Sequence, residues 1–591
     1  MECFNKFRSL KPMIRYSIII GSIVLLLLVA VIIVIIVLSN RLTGTNVGAY
    51  LKTPDPSILE YRMGAGWAGG FDNSWTLDNM RDVIQYAGFS SMRKKLPEQH
   101  FDNWGYGIEL GVCEANEKYG ITDLVGYLCT PSKIHSSNIT SNSEFCYPDH
   151  LYEPIWLDNG EVNPNNYWAN YIYKVVNTYK KYVKIWETWN EPDYVRYGVD
   201  TGSWSTKPPK PEDLVNWGGT IFQYIRLLRI TYEVAKKVDP DCWVATGGLG
   251  YPNFLDAIMR YTDNPVDGSL TKEYPAYGGA YFDCDCYHKY PKWGTVDIET
   301  GERVDDSGSD SDARKVVILK KDHHYITKKY GFGDKYPPKI FVATETGLDT
   351  NTTTKEDIKR RNWIIKTALM CIEYDVKQHH QLVFTDDGKG MGDIENIGKF
   401  VSLEEAYSHL KSSSKGRIIL YKMNLGKFIF DEEKTRKFRE KLPANVTGIV
   451  LKRKFPKVEN ESYYFDYMYS VWIKCVKEEV KGQIETELDI PFDPLQLDWE
   501  GNEKKMKSDS KFIITSTPIF LLGHESSFPN GNESSFPLGN ESSSGLAIFF
   551  IILGSLIGLL ILIIVGLYCY KKFIKKQDIP LNKSILITLI K

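Results

Sequence analysis

The stretch Val183-Lys-Ile-Trp-Glu-Thr-Trp-Asn-Glu-Pro-Asp193 decides how the chain is read. Its β-branched and aromatic residues suit a strand, and Pro192-Asp193 closes it. The strand therefore delivers Asn190 and Glu191 to its C-terminal end. A second stretch of the same design, Ile340-Phe-Val-Ala-Thr-Glu-Thr-Gly347, delivers Glu345 to the end of another strand.

Working outward, further strands are expected at 63–69, 88–94, 121–128, 242–248, 281–287 and 381–387, which with 183–189 and 339–345 makes eight. Helix-like pieces alternate with them, such as Asn166 to Tyr182 and Asp213 to Val238. Eight strand-helix units over 60–390 predict a (β/α)8 TIM barrel. A doubly wound sheet would carry a Gly-x-Gly-x-x-Gly turn after its first strand; the run Gly64-Ala-Gly-Trp-Ala-Gly69 lies within the expected strand 63–69, and no such turn follows it. Residues 445–522 change to β-branched and aromatic segments, which predicts a small all-β domain, with 391–444 as a helical insertion or connector.

Two segments belong to no water-soluble core. Residues 16–38 and 546–570 are apolar almost throughout, each long enough to cross a bilayer core of about 30 Å as a helix. The first is longer than a signal-peptide core and lacks a small-x-small cleavage site, so an uncleaved signal anchor is expected. Lys6, Arg8, Lys11 and Arg15 precede it, and Lys571, Lys572, Lys575 and Lys576 follow the second. Both termini are thus expected in the cytosol (1–15 and 571–591), and the region between the spans outside the cell or in a lumen. Residues 42–59 read as a stalk. The repeat HESSFPNG, NESSFPLG, NESSSG within 524–545 reads as a glycosylated spacer. Six sequons fall between the spans, at Asn138, Asn351, Asn445, Asn460, Asn532 and Asn540. Eight cysteines lie there too, and their 105 possible pairings leave any disulfide pattern open. Cys284 and Cys286 alternate along a strand and so face one side, as buried thiols.

The charge balance of 72 basic against 74 acidic residues gives no electrostatic case for nucleic acid. The chemistry points elsewhere. Strands four and seven stand on opposite sides of an eight-fold ring, so two strand-end glutamates can face each other across its mouth. Glycosidic cleavage needs that pair, one carboxylic acid to protonate the leaving oxygen and one carboxylate to attack or to activate water. The acid is expected to be kept neutral by the negative charge of its neighbour.

On those residues the chain resembles the large retaining glycosidase clan with a (β/α)8 barrel. Trp186 to Asp193, WETWNEPD, is most similar to the β-xylosidase and α-L-iduronidase family, glycoside hydrolase family 39. The resemblance implies Glu191 as acid/base, Glu345 as nucleophile and Asn190 on the sugar 2-hydroxyl. It also makes His288 and Tyr290, in YHKYP at the end of strand six, candidates for holding the nucleophile, and Arg93 a candidate for keeping it ionised. The segment 512–522 resembles the closing strand of the clan's small β-domain. The clan commonly carries a tryptophan platform at the end of strand eight, where this sequence has LVFTDD, so Phe384, Trp293 or Trp104 would have to serve. A uronate would need a cation, for which Lys289 and Lys389 are available. The expectation is a membrane-anchored glycosidase acting by double displacement on a carbohydrate, without metal or organic cofactor. A glycan-binding receptor on an inactive barrel and a transglycosylase are the alternatives.

Overall fold

In the computed structural model, the residues described are 53–66, 87–137, 146–350, 357–382, 411–457 and 461–524. A closed barrel of eight parallel strands is formed by β1 (Arg62–Gly66), β2 (Ser91–Lys95), β3 (Leu124–Leu128), β4 (Val183–Thr188), β5 (Trp243–Ala245), β6 (Cys284–Lys289), β7 (Ile340–Thr346) and β8 (Val376–Gln381). Each strand pairs with its neighbours in sequence, and β1 closes on β8. The lower barrel is filled by inward residues of alternate register: Val125, Ile185, Trp243, Ala245, Cys284, Cys286, Ile340 and Val342. Above this apolar plug the inward positions turn polar, with Arg93 on β2 and Glu187 on β4.

Helices ring the barrel: α1 (Glu98–Trp104), α2 (Leu110–Lys118), α3 (Tyr167–Tyr179), α4 (Ile221–Val238), α5 (Pro252–Arg260), α6 (Ser309–Lys329), α7 (Ile358–Glu373) and α8 (Ser412–Lys422). Their starts are written in the sequence. Asn166 accepts from the Ala169 amide ahead of α3, and Thr220 with Gln223 forms a capping box on α4. That cap explains why α4 begins at Ile221 rather than at Asp213, which belongs instead to a short 3-10 turn at Pro211–Asp213.

Two expectations need correcting. The eighth strand is Val376–Gln381, five residues earlier than the apolar run at 381–387. Its inward residues are polar: Gln378 Oε1 accepts from the Ser91 hydroxyl (3.2 Å) and from His380 Nε2 (2.8 Å). Such a strand shows no apolar alternation. Second, the barrel does not end at 390, because α8 supplies the helix after strand eight. Gly416 of α8 lies against Ile365 and Arg361 of α7, and Arg417 reaches back to the Ala87 carbonyl at 2.7 Å.

A six-stranded sheet follows: β9 (Phe428–Phe430), β10 (Val446–Arg453), β11 (Tyr467–Ile473), β13 (Leu495–Leu497), β14 (Glu503–Lys505) and β16 (Ile519–Gly523), in the order β9-β10-β11-β16-β13-β14. Between them β12 (Ile484–Glu487) pairs with β15 (Lys511–Ile514), and α9 (Glu432–Glu440) lies before β10. Both faces are buried. Ile449, Leu451, Met468, Trp472, Phe520 and Leu522 join the barrel helices through Trp363 and Ile364. Val450, Tyr469, Val471 and Leu521 face the second pair of strands through Phe512 and Ile514. Asp310 of α6 fixes the junction, accepting from Trp472 Nε1 and the Cys475 amide at 2.7 Å each and pairing with Lys366 at 2.6 Å.

Among the described residues no helix is long and apolar enough to cross a membrane. The expected spans, 16–38 and 546–570, lie outside those residues, as do the sequons at Asn138, Asn351, Asn460, Asn532 and Asn540. Asn445 is exposed. The eight cysteines between the expected spans are all buried. Cys284 and Cys286 stand side by side with sulfurs 4.0 Å apart, and burial pushes both thiols up.

Candidate active site

The C-terminal mouth of the barrel gathers Arg93, Glu187, Asn190, Glu191, His288, Tyr290 and Glu345 into one hydrogen-bonded group. Glu191 arrives there by an unusual turn. After β4 ends at Thr188, Trp189 and Glu191 both adopt positive φ, 76° and 45°. Side chains disfavour that conformation, so the surroundings must hold it. The Trp189 indole is buried edge-on to Trp217 (5.1 Å between centroids) and donates to the Asn216 carbonyl at 2.6 Å. The Glu191 amide donates to the Gly247 carbonyl at 2.6 Å. Gly247 has to be glycine, since a Cβ there would meet the Thr188 carbonyl at 2.4 Å.

Glu345 arrives by a different device. Along β7, Phe341 and Ala343 point outward into the helical layer. Strict alternation would send Glu345 the same way. The pairing with β6 slips, however: Tyr287 opposes Ala343 and His288 opposes Glu345, and the β8 side shifts at the same place. One extra residue in β7 forms a bulge that re-aims the following side chain. Thr344 and Glu345 therefore both serve the interior.

Arg93 ties the group together. Its Nε donates to Glu187 (2.6 Å), Nη1 to Glu345 (2.5 Å) and Nη2 to Asn190 Oδ1 (2.8 Å). Its guanidinium lies 4.0 Å over the Tyr127 ring. Burial opposes its charge, but Glu187 and Glu345 outweigh that and hold its pKa above the ordinary value. Glu345 accepts on its other oxygen from the Tyr290 hydroxyl at 2.9 Å. Burial and the Glu345 charge raise the Tyr290 pKa, which keeps the phenol a donor.

His288 sits with Glu191 rather than chiefly with Glu345. Its Nδ1 is 2.8 Å from Glu191 Oε1 and 3.6 Å from Glu345 Oε2, while Nε2 meets the Thr344 hydroxyl at 3.1 Å. Burial would lower its pKa, but the Glu345 charge and the bond to Glu191 raise it to about 10. In turn, burial pushes Glu191 up, but the imidazolium prevails and leaves its carboxyl below the usual range. Both directions favour an imidazolium beside a carboxylate over the expected neutral acid. Glu187, fully buried, is also held below the usual range, since Arg93 and His288 overcome the cost of burial.

Glu187 is the site residue that sequence reasoning passed over. It lies inside the same WETWNEPD run, and its inward register on β4 was available to find it. Thr344, which donates to Glu187 at 2.8 Å, is visible only once the bulge is known. Asp193, the last residue of the run, accepts from the Gly250 and Tyr251 amides at 2.8 Å each and so pins the next loop.

Other candidates fall away from the centre. Lys289 is on the opposite side of β6 from His288. Burial and the neighbouring Lys315 charge push its pKa down to about 8, with Asp322 opposing, so it belongs to the α6 side. Trp104 and Trp293 are exposed at 67% and 70%, and neither is part of the hydrogen-bonded group. Phe384 and Lys389 lie outside the described residues.

One oxygen of Glu191, one oxygen of Glu345 and a His288 nitrogen lie within 4.8 Å of one another. That spacing could also hold a divalent ion. The donors Arg93, Tyr290 and His288 already occupy these carboxylates, so the group is satisfied by its own hydrogen bonds.

No protein-family model and no curated protein matches the chain. Solved structures similar to it include a family 39 glycoside hydrolase from the gut symbiont Bacteroides cellulosilyticus WH2, at 17% identity, covering 80% of this chain and 83% of that one with a TM-score of 0.49. They also include a family 30 subfamily 8 xylanase from Clostridium acetobutylicum (11% identity, 80% and 99% covered, TM-score 0.43). The catalytic domain of family 30 xylanase C from Talaromyces cellulolyticus is similar at 11% identity, 80% and 99% covered, with a TM-score of 0.45.

Proposed function

We propose that the chain is a membrane-tethered glycoside hydrolase that cleaves a glycosidic bond by double displacement. The observation that carries the reading is the facing pair: Glu191 and Glu345 come within 4.8 Å at the open end of the barrel, yet their partners differ. Glu345 is held by Arg93 and Tyr290, both donors, as an attacking carboxylate requires. Glu191 is bonded to an imidazole that carries a proton, as an acid/base requires. Retaining enzymes place the two carboxyl groups about 5–5.5 Å apart and inverting ones about 6.5–9.5 Å; the short approach here supports retention.

In the first step a Glu345 oxygen attacks the anomeric carbon while Glu191, drawing its proton from His288, protonates the departing oxygen. In the second, Glu191 takes a proton from water, which attacks the same carbon and frees Glu345. Asn190, its Oδ1 anchored by Arg93, keeps its amide hydrogens for the sugar 2-hydroxyl. The spans at 16–38 and 546–570 would tether this chemistry outside the cytosol, a placement carried by the sequence alone. The test is turnover of a panel of aryl β-glycosides by the full chain beside Glu191→Gln and Glu345→Gln. Equal background rates for all three on every substrate would leave a glycan-binding receptor instead.

A further inference from the structure

At the end of the barrel away from Glu191 and Glu345, where the strands begin, a cleft of about 310 Å³ opens between β1, the turn ahead of β3 and the end of α8. That volume stands at the lower end of the roughly 300–1,000 Å³ usual for small-molecule sites. One wall is the turn Asn424-Leu-Gly-Lys427. Asn424 takes up left-handed backbone, φ 53°, which asparagine tolerates better than most residues. Gly426 can then lie flat on the start of β1, since a Cβ there would meet the Tyr61 carbonyl at 2.4 Å.

The lining combines charges that cancel with hydrogen-bonding groups that are not used up. Glu60 pairs with Lys427 at 2.5 Å and with Arg62 at 3.4 Å, and Arg62 pairs again with Asp123 at 3.0 Å. Two cations facing two carboxylates leave no net charge, so an ionised ligand would have to compete with partners already in place. A guanidinium and an ammonium carry more N–H groups, and a carboxylate more lone pairs, than these pairs consume. Beside them the Thr122 hydroxyl and the Asn424 side-chain amide line the cleft and make no hydrogen bond among the described residues. Spare donors and spare acceptors therefore stand side by side, which suits hydroxyl groups, since each both donates and accepts. Tyr421 adds an aromatic wall.

We infer that this cleft is a second carbohydrate site, which binds a neutral sugar ring at the far end of the barrel from the carboxylate pair and leaves it unchanged. The ring's hydroxyls bond to Glu60, Arg62, Thr122 and Asn424, and its C–H face lies on Tyr421. The inference does not rest on the chemistry proposed for the mouth. A glycan gripped there would raise the local concentration of its neighbours around the chain, a gain that needs no new contact at the mouth.

The test uses the full-length chain in a detergent without a sugar headgroup. Amide hydrogen exchange is followed while glucose, galactose, mannose, xylose or N-acetylglucosamine is titrated in, with glucuronate and inorganic phosphate as charged controls. At least one neutral sugar is expected to slow exchange over residues 420–427, and to do so at the same concentration in Asn190→Ala, which alters the mouth. Asn424→Gly keeps the left-handed turn and removes the amide, and Thr122→Val keeps the shape and removes the hydroxyl. Together they should raise the sugar concentration needed roughly tenfold, the worth of about two neutral hydrogen bonds. Matching thermal melts check that the variants fold. The site is overturned if no neutral sugar protects 420–427, or if the protection survives the double variant. Protection lost in Asn190→Ala would trace the effect to the mouth and overturn it too, as would glucuronate or phosphate acting at lower concentration than every neutral sugar. Aryl glycoside turnover is read separately: its absence would remove the glycosidase reading and leave the cleft standing, and turnover without protection would do the reverse.

Discussion

His288 bonds Glu191 through Nδ1 at 2.8 Å while its Nε2 is held by Thr344 at 3.1 Å. The imidazole is thus fixed at both ends, and its proton is available to one carboxyl. With a folded pKa near 10 against an ordinary value near 6.5, the charged form is favoured by folding. Its contribution to stability is complete below about pH 6.5 and is lost as pH rises through about 10. His288→Gln should flatten that decline in denaturation midpoints between pH 6.5 and 10. The variant should also bring the alkaline limb of kcat/KM to lower pH, because Glu191 alone would then hold the proton. An unmoved limb would separate His288 from the acid/base role.

The two glutamates should respond differently to the leaving group. Glu191→Gln should slow poor leaving groups by about 10²–10⁴-fold, the usual worth of general acid catalysis. It should slow activated dinitrophenyl glycosides far less, since those need no protonation. Glu345→Gln should abolish turnover of both. Steady-state rates across a leaving-group series check this, and equal losses for Glu191→Gln throughout would count against its assignment.

Arg93 bridges two buried carboxylates, so its removal leaves both uncompensated. Arg93→Met should destabilise by about 3–5 kcal/mol, read from chemical denaturation. Restoring balance with Glu187→Leu in the same chain should recover part of that loss, a coupling that a double-mutant cycle measures. Additive losses would mean that the two side chains do not interact as described.

Gly248 supports His288 by lacking a side chain. A Cβ there would fall 2.1 Å from His288 Nε2, and its φ of +67° already suits glycine. Gly248→Ala should cost about 1–3 kcal/mol through displacement and backbone strain. It should also lower kcat more than it raises KM, because the acid/base partner moves. Kinetics with a thermal melt distinguish this from simple unfolding.

Where the sequence was readable, a physical signal was present. Val183 to Thr188 and Ile340 to Thr346 announce themselves as strands by their apolar and β-branched content, and their terminal glutamates follow. Arg93 is reached through the family resemblance, which its place near the end of a strand of the same ring matches. Strand β8 is hard to place from sequence because Gln378 and His380 fill the barrel interior with polar atoms, leaving the neighbouring Leu-Val-Phe as the stronger apolar signal. The helix α8 falls within the expected helical connector, but its place against the barrel is not legible there, since Arg417 is buried by pairing with the Ala87 carbonyl rather than by apolarity. The bulge at Thr344 leaves no mark in composition. It exists in the pairing of three strands, and it alone explains why Glu345 faces the mouth. Cys284 and Cys286 were readable as buried neighbours by alternation alone.

Double displacement requires that Glu345 become covalently bonded to the sugar during turnover. The direct measurement is to incubate the full chain with an activated 2-deoxy-2-fluoro glycoside of the best sugar from the aryl panel, then map the label by peptide mass spectrometry. Stoichiometric inactivation is expected, with the sugar on Glu345. A label on another residue, or unimpeded turnover with no covalent species, would contradict it.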